Sequence, residues 1–127
     1  MSCVLIVDDE PEYLDELLEA LGFEGMSAVA VPSAAAALEA LARDPQITIV
    51  LTDMRMPDMD GIAMIHSLRK AFAARRLDFL VMTGHAAETD MARAMAAGVR
   101  RCFPKPLAFD DLRDTLIALQ DGQDAPG

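Results

Sequence analysis

Five short apolar runs, separated by stretches of helical periodicity, constrain the fold of this 127-residue chain more than any other feature. The runs are Cys3–Val7, Met26–Val31, Ile47–Thr52, Phe79–Met82 and Val99–Phe103. Each is too short for a core helix and is bounded by turn or acidic residues, as strands buried on both faces are. Between them, Leu14, Leu17, Leu18 and Leu21 recur at i, i+3, i+4 and i+7, one face of a helix that Gly22 is expected to end. Ser33 is placed to cap a second helix, carrying Leu38 and Leu41 and stopping before Pro45. Ile65, Leu68 and Phe72 mark a third, and Met91 and Met95 a fourth closed by Gly98. Phe109, Leu112, Leu116 and Leu119 mark a fifth. A strand–helix unit repeated five times predicts an α/β fold, a doubly wound parallel sheet with helices on both faces.

The length suits one domain, expected over residues 1–120, with a polar tail at 121–127 expected to be disordered. With 11 Lys and Arg against 21 Asp and Glu, the formal charge is −10. Nucleic-acid binding rests on cations that neutralise phosphates, so neither nucleic acid nor an anionic membrane surface is an expected partner. The longest uncharged stretch, Gly25–Leu38, is interrupted by Pro32 and falls short of the ~20 residues of a membrane span. The first apolar run has no basic region before it and runs straight into acids, unlike a signal peptide. Cys3 and Cys102 make no disulfide framework, and a cytoplasmic location is expected.

In a parallel sheet, ligands bind outside the carboxyl ends of the strands, so the residues that follow each strand are the ones to read. Asp8 and Asp9 follow the first run, Thr52 and Asp53 end the third, Thr83 and Gly84 the fourth, and Pro104, Lys105 and Pro106 the fifth. If the first and third strands are neighbours, Asp8, Asp9 and Asp53 crowd one cleft. Two like charges ~4 Å apart cost about 4 kcal/mol at an effective dielectric of 20. Such a cluster calls for a cation, and an all-oxygen donor set suits Mg²⁺. His66 and His85 lack metal-ligand spacing with either cysteine, which argues against zinc. Lys105 adds a fixed positive charge and Thr83 a hydroxyl. Cation, ammonium and hydroxyl together suit a phosphoryl group, with one carboxylate as nucleophile. Asp53 is the candidate, because it stands alone on its strand end while Asp8 and Asp9 can hold the metal.

These residues closely resemble the receiver domain of bacterial two-component response regulators. The resemblance rests on Val7-Asp8-Asp9-Glu10, on the run from Thr52 through Asp53 to Asp60-Gly61, on Thr83-Gly84 and on Lys105-Pro106, and it extends from Ser2 to Leu119. It implies a flavodoxin-like sheet of strand order 2-1-3-4-5. It implies that Asp53 accepts a phosphoryl group from a sensor histidine kinase or phosphotransfer protein, with Thr83 and Lys105 contacting that group. It further implies Mg²⁺ held by Asp9, by Asp8 through water, by Asp53 and by the backbone carbonyl of Arg55. The Lys105–Pro106 bond resembles one that the family keeps cis. Met56, Pro57 and Gly61 would shape the loop after Asp53, with Gly61 also readable as a plain turn residue. Such a domain catalyses only its own phosphorylation and dephosphorylation. It signals to a downstream protein through the face formed by the fourth helix, fifth strand and fifth helix, and a phosphorylation-dependent homodimer is a further expectation.

The sequence departs from the family where an aromatic switch residue is usual, three residues before Lys105, for Cys102 stands there. Phe103 is next, but successive strand residues face opposite sides of a sheet. Arg55 and His85 occupy positions that tune dephosphorylation in relatives. Met91, Met95 and Phe109, on the output face, are read as core residues. Two alternatives stand beside the phospho-acceptor. One is a degenerate receiver that binds partners without phosphorylation. The other is an Asp-nucleophile, Mg²⁺-dependent phosphatase, which would want an acid two residues after Asp53, where Arg55 stands. A nucleotide-binding loop is excluded because Asp8-Asp9-Glu10-Pro11 replaces the glycines after the first strand.

Overall fold

The computed structural model describes residues 3–56, 60–84 and 88–120. In chain order the elements are β1 (Cys3–Val7), α1 (Pro11–Phe23), β2 (Ser27–Val31), α2 (Ala34–Arg43), β3 (Ile47–Asp53), α3 (Gly61–Ala71), β4 (Asp78–Thr83), α4 (Glu88–Ala96), β5 (Arg101–Pro104) and α5 (Phe109–Gln120). The strands form one parallel sheet in the order β2-β1-β3-β4-β5. This is the flavodoxin-like architecture, and it makes β1 and β3 neighbours, the condition on which the clustering of acids depended. The expected tail at 121–127 lies outside the described residues.

Strand alternation sorts the core into two layers. Leu5, Val7, Val50 and Val81 pack with Leu41 of α2, Ile65 and Leu68 of α3 and Ala94 of α4. Val4, Ile6, Ile49, Leu51, Leu80 and Met82 pack on the other side with Leu14, Leu17 and Leu21 of α1 and Leu112 and Leu116 of α5. The central strands are buried on both faces, so their sequences run apolar without alternation.

Local chemistry sets the ends. The Ser33 hydroxyl accepts the Ala36 N–H at 3.2 Å and caps α2. Asp60 caps α3 by accepting the N–H groups of Ile62 and Ala63 at 2.8 and 3.3 Å. The first helix does not end at Gly22 but runs to Phe23, and Gly25, at φ 74°, supplies the left-handed turn. The last strand begins at Arg101 rather than Val99, because Gly98, at φ 81°, is still turning the chain and Val99 packs beneath α4. Ala94 of α4 and Ala97, just past its end, pack into the core, so Met95 between them is 55% exposed rather than in the core. Met91 and Phe109 are half-buried.

Candidate functional site

Register brings the strand ends together. Val7 pairs with Thr52, Asp53 with Met82, and Thr83 with Pro104, so Asp8, Asp53, Thr83 and Lys105 emerge at one edge of the sheet. The backbone N–H of Lys105 donates to the Thr83 carbonyl at 2.8 Å, and that of Met54 to the Met82 carbonyl at 2.8 Å, which ties the edge together. The Lys105–Pro106 peptide is cis. Among the described residues, a cavity of about 190 Å³ opens there, lined by Glu10, Asp53, Met54, Arg55, Thr83, Gly84 and Lys105.

The charges are largely withdrawn from water: Asp8, Asp53 and Thr83 are buried, and the Lys105 side chain is 15% exposed. The Lys105 ammonium donates to Asp8 Oδ2 at 2.8 Å, to Asp53 Oδ2 at 3.2 Å and to Glu10 Oε1 at 3.4 Å, and it lies 4.8 Å from the centre of the Tyr13 ring. Burial alone would lower the Lys105 pKa. Hydrogen bonding to Asp8 and the charges of Asp53 and Asp8 outweigh that, so the value rises and the ammonium stays charged. For Asp53 the balance is reversed: burial raises the pKa, Lys105 lowers it, Asp8 raises it again, and the net shift is upward. The Arg55 N–H reaches Asp53 Oδ1 at 3.5 Å, the Asp8 carboxylate accepts the Glu10 N–H at 3.0 Å, and Asp53 is left an acceptor-rich group facing the cavity.

Asp8, Glu10 and Asp53 each offer an oxygen, all within 4.8 Å of one another. With all three acids ionised and Lys105 charged, the group carries a net charge of −2. Hard oxygen donors with no nitrogen or sulfur suit a small divalent cation such as Mg²⁺, so the residues fit the metal that the resemblance implied. The membership differs in one acid: Glu10 is in the group and Asp9 is outside it, although both are exposed. Three consecutive acids follow β1; Asp8 is buried, and sequence order does not tell which of the two exposed acids after it joins the group. The turn in which Asp8 accepts the Glu10 N–H directs that choice.

Gly61 is more than a turn residue. A Cβ there would lie 2.3 Å from the Asp53 carbonyl oxygen, and the Gly61 N–H donates to the Met54 carbonyl at 2.7 Å. The start of α3 is thus pressed against the backbone that carries Asp53. Cys102 packs with the layer beneath α4 and Phe103 with the layer beneath α1 and α5, so Phe103 does not substitute for the missing aromatic. Both cysteines are free thiols. Pro57 and His85 lie outside the described residues. Sequence reading gave Arg55 a backbone role. Its side chain also makes a two-pronged contact with Asp90 of α4, at 3.0 and 2.9 Å.

The family model described as the response regulator receiver domain matches residues 4–117. The chain is 32% identical over 118 residues to the two-component response regulator PprB of Pseudomonas aeruginosa, covering 92% of this chain and 43% of that protein. It is 32% identical over 118 residues to the transcriptional regulatory protein KdpE of Mycobacterium tuberculosis, covering 93% of this chain and 50% of that protein. The chain thus spans about half the length of these curated relatives or less. A solved response regulator receiver protein from Pseudomonas putida superposes with a TM-score of 0.84 at 27% identity, covering 91% of this chain and 95% of the other. A CheY-like receiver domain from Methanospirillum hungatei superposes with a TM-score of 0.85 at 25% identity, covering 100% of this chain and 99% of the other. Sheet order, the acid group with its lysine and a family match over nearly all of the described fold agree: the chain belongs to the response regulator receiver domain family.

Proposed function

We propose that Asp53 is the phospho-acceptor of a two-component or phosphorelay pathway. The observation that carries this reading is the Lys105 ammonium, held between Asp8 and Asp53 at the mouth of a cavity that Thr83 also lines. An Asp53 carboxylate oxygen attacks phosphorus, forming a P–O bond. The P–N bond to the donor's histidine breaks, and its electron pair goes to the imidazole nitrogen. The product is an acyl phosphate, the anhydride of a carboxyl group. Lys105 then pairs with phosphoryl oxygens while the Thr83 hydroxyl donates to one of them, placing fixed positive charge and a donor where negative charge builds up. Asp8 and Asp53, with Asp9 or Glu10 and the Arg55 carbonyl, would hold Mg²⁺, which when bound neutralises charge between carboxylates and phosphoryl group.

The donor is a sensor histidine kinase or a phosphotransfer protein. A yeast receiver domain of the same fold was crystallised with a histidine phosphotransfer protein, although at 18% identity the likeness extends to the fold alone. The output is a protein contact through α4, β5 and α5, where Met95 and Ile117 are 55% and 42% exposed. None of the described helices is long and apolar enough to cross a membrane.

Intact mass after incubation with acetyl phosphate and Mg²⁺ tests the reading. The expected result is a gain of one phosphoryl group, absent from Asp53→Asn and from metal-depleted protein. No gain with acetyl phosphate or with a panel of histidine kinases would overturn it and leave a receiver that acts by binding alone.

A further inference from the structure

We infer that Arg55 and Asp90 form a latch that holds α4 in its resting position, and that a phosphoryl group on Asp53 opens the latch by capturing Arg55. The inference rests on the reading of Asp53 as acceptor. Arg55 belongs to two places at once. It lines the cavity in front of Asp53, and its Nη2 donates to both oxygens of Asp90, thirty-five positions along the chain.

The burial of the pair is lopsided. The Arg55 side chain is 61% exposed and the Asp90 side chain 4%. An exposed guanidinium changes partner at little cost, but a buried carboxylate deprived of its partner carries a large desolvation penalty. Among the described residues, Asp90 has one further cation nearby, Arg93 Nη1 at 3.8 Å, and Arg93 also reaches Asp60 Oδ2 at 3.2 Å. When Arg55 leaves, Asp90 must therefore reach water or close on Arg93. The first route moves α4; the second is a side-chain shift within α4, where Arg93 stands one turn from Asp90, and it draws Arg93 away from Asp60, loosening the tie between α4 and the cap of α3. A phosphoryl group presents more negative charge than Asp90 and three acceptor oxygens, so it competes for a guanidinium that already lines its pocket. The event at Asp53 thus reaches α4 through one side chain, with no aromatic ring required.

Beryllofluoride with Mg²⁺ serves as the phosphoryl mimic, followed by NMR of backbone amides and of the Arg55 Nε–Hε group. In the wild type, binding shifts the amides of Met54, Thr83 and Gly84, and the Arg55 signal and the α4 amides from Met91 to Ala96 move with them. In Asp90→Asn the α4 amides start displaced toward the bound positions. Half-saturation then falls about fivefold or more, since coupling between two sites is reciprocal. Arg55→Ala, at an exposed side chain, keeps the experiment decisive should Asp90→Asn fail to fold. It displaces α4 without the mimic, and binding adds no further displacement, whereas Arg55→Lys restores part of the response.

If beryllofluoride titrates Met54, Thr83 and Gly84 while Arg55 and α4 stay still, the latch is wrong and the acceptor reading stands. Wild-type half-saturation in a folded Asp90→Asn equally overturns the latch. No response at Met54, Thr83 or Gly84 overturns both.

Discussion

At the scale of single residues the site is held by contacts that leave little slack. Gly61 shows this most directly, because the space its Cβ would take is occupied by the Asp53 carbonyl oxygen at 2.3 Å. A backbone atom cannot yield as the end of a flexible side chain can. Gly61→Ala is therefore expected to destabilise the protein by about 1–3 kcal/mol, the usual range for overpacking, and to slow phosphorylation by acetyl phosphate because the Asp53 backbone has to move. Denaturant unfolding with paired mass kinetics checks both. An unchanged midpoint with unchanged kinetics would show that the contact is relieved at no cost. At this scale Asp8, Asp53, Thr83 and Lys105 were legible in the sequence, since the first three directly follow an apolar run, Lys105 stands two residues past one, and the parallel-sheet rule says where such residues point. Glu10 was not, because which of the two exposed acids after Asp8 comes within reach of the group is chosen by a local turn. The Arg55–Asp90 pair was not legible either, because the two residues meet only through the packing of α4.

Among the elements, α3 carries the clearest electrostatic signature. Burial would raise the pKa of its cap, Asp60, but the Ile62 N–H, the Arg93 side chain and the Ala63 N–H outweigh it, and the pKa is lowered. For an acid whose folded-state pKa lies below its unfolded value of ~3.9, the stabilisation is fully present above the unfolded value and is lost as pH falls through the folded one. Asp60→Ala is expected to cost about 1 kcal/mol at neutral pH, as the loss of an N-cap does. The gap to wild type should close as pH drops below about 4. Asp60→Asn keeps a capping oxygen, so it should retain most of the stability and show a flatter pH response. Melting temperatures of the three proteins across that range test this, and a gap that persists at low pH would rule out the charge of Asp60 as its source. The elements themselves were readable from periodicity, with their edges less so. Gly22 and Val99 look like boundaries in sequence, but positive φ at Gly25 and Gly98 sets where the chain turns. Met95 satisfied the helical spacing from Met91, yet Ala94 and Ala97 face the sheet, because small residues let α4 approach it closely.

For the whole molecule, the decisive quantity is charge. A chain with a net charge of −10 folds so as to bring Asp8, Glu10 and Asp53 together, and Lys105 offsets one of the three negative charges. The upward pKa shift of Asp53 has burial as its largest cause and Asp8 as a contributor, so the ionised carboxylate opposes folding when no cation is bound. Asp53→Asn removes that charge and keeps an oxygen for Lys105. Without metal the variant is expected to melt above wild type, and about 1 kcal/mol would appear as roughly 3–5 °C in a chain of this length. Mg²⁺ acts in the opposite order. A ligand that binds only the folded state stabilises it by RT ln(1 + [L]/Kd), about 1.4 kcal/mol at ten times Kd. Wild type should gain that amount and Asp53→Asn less, because one of its oxygen donors has lost its charge. Equal gains in the two proteins would place the cation away from Asp53. The same titration with Asp9→Asn and Glu10→Gln separates Asp9, which the family resemblance favours, from Glu10, which lies in the group: the larger rise in the Mg²⁺ midpoint marks the acid that belongs to the site. A rise for Glu10→Gln alone would mean that the resting grouping is already the metal-binding one. A rise for Asp9→Asn alone would mean that the cation draws Asp9 in, and that Glu10 serves chiefly to hold Lys105 while the site waits.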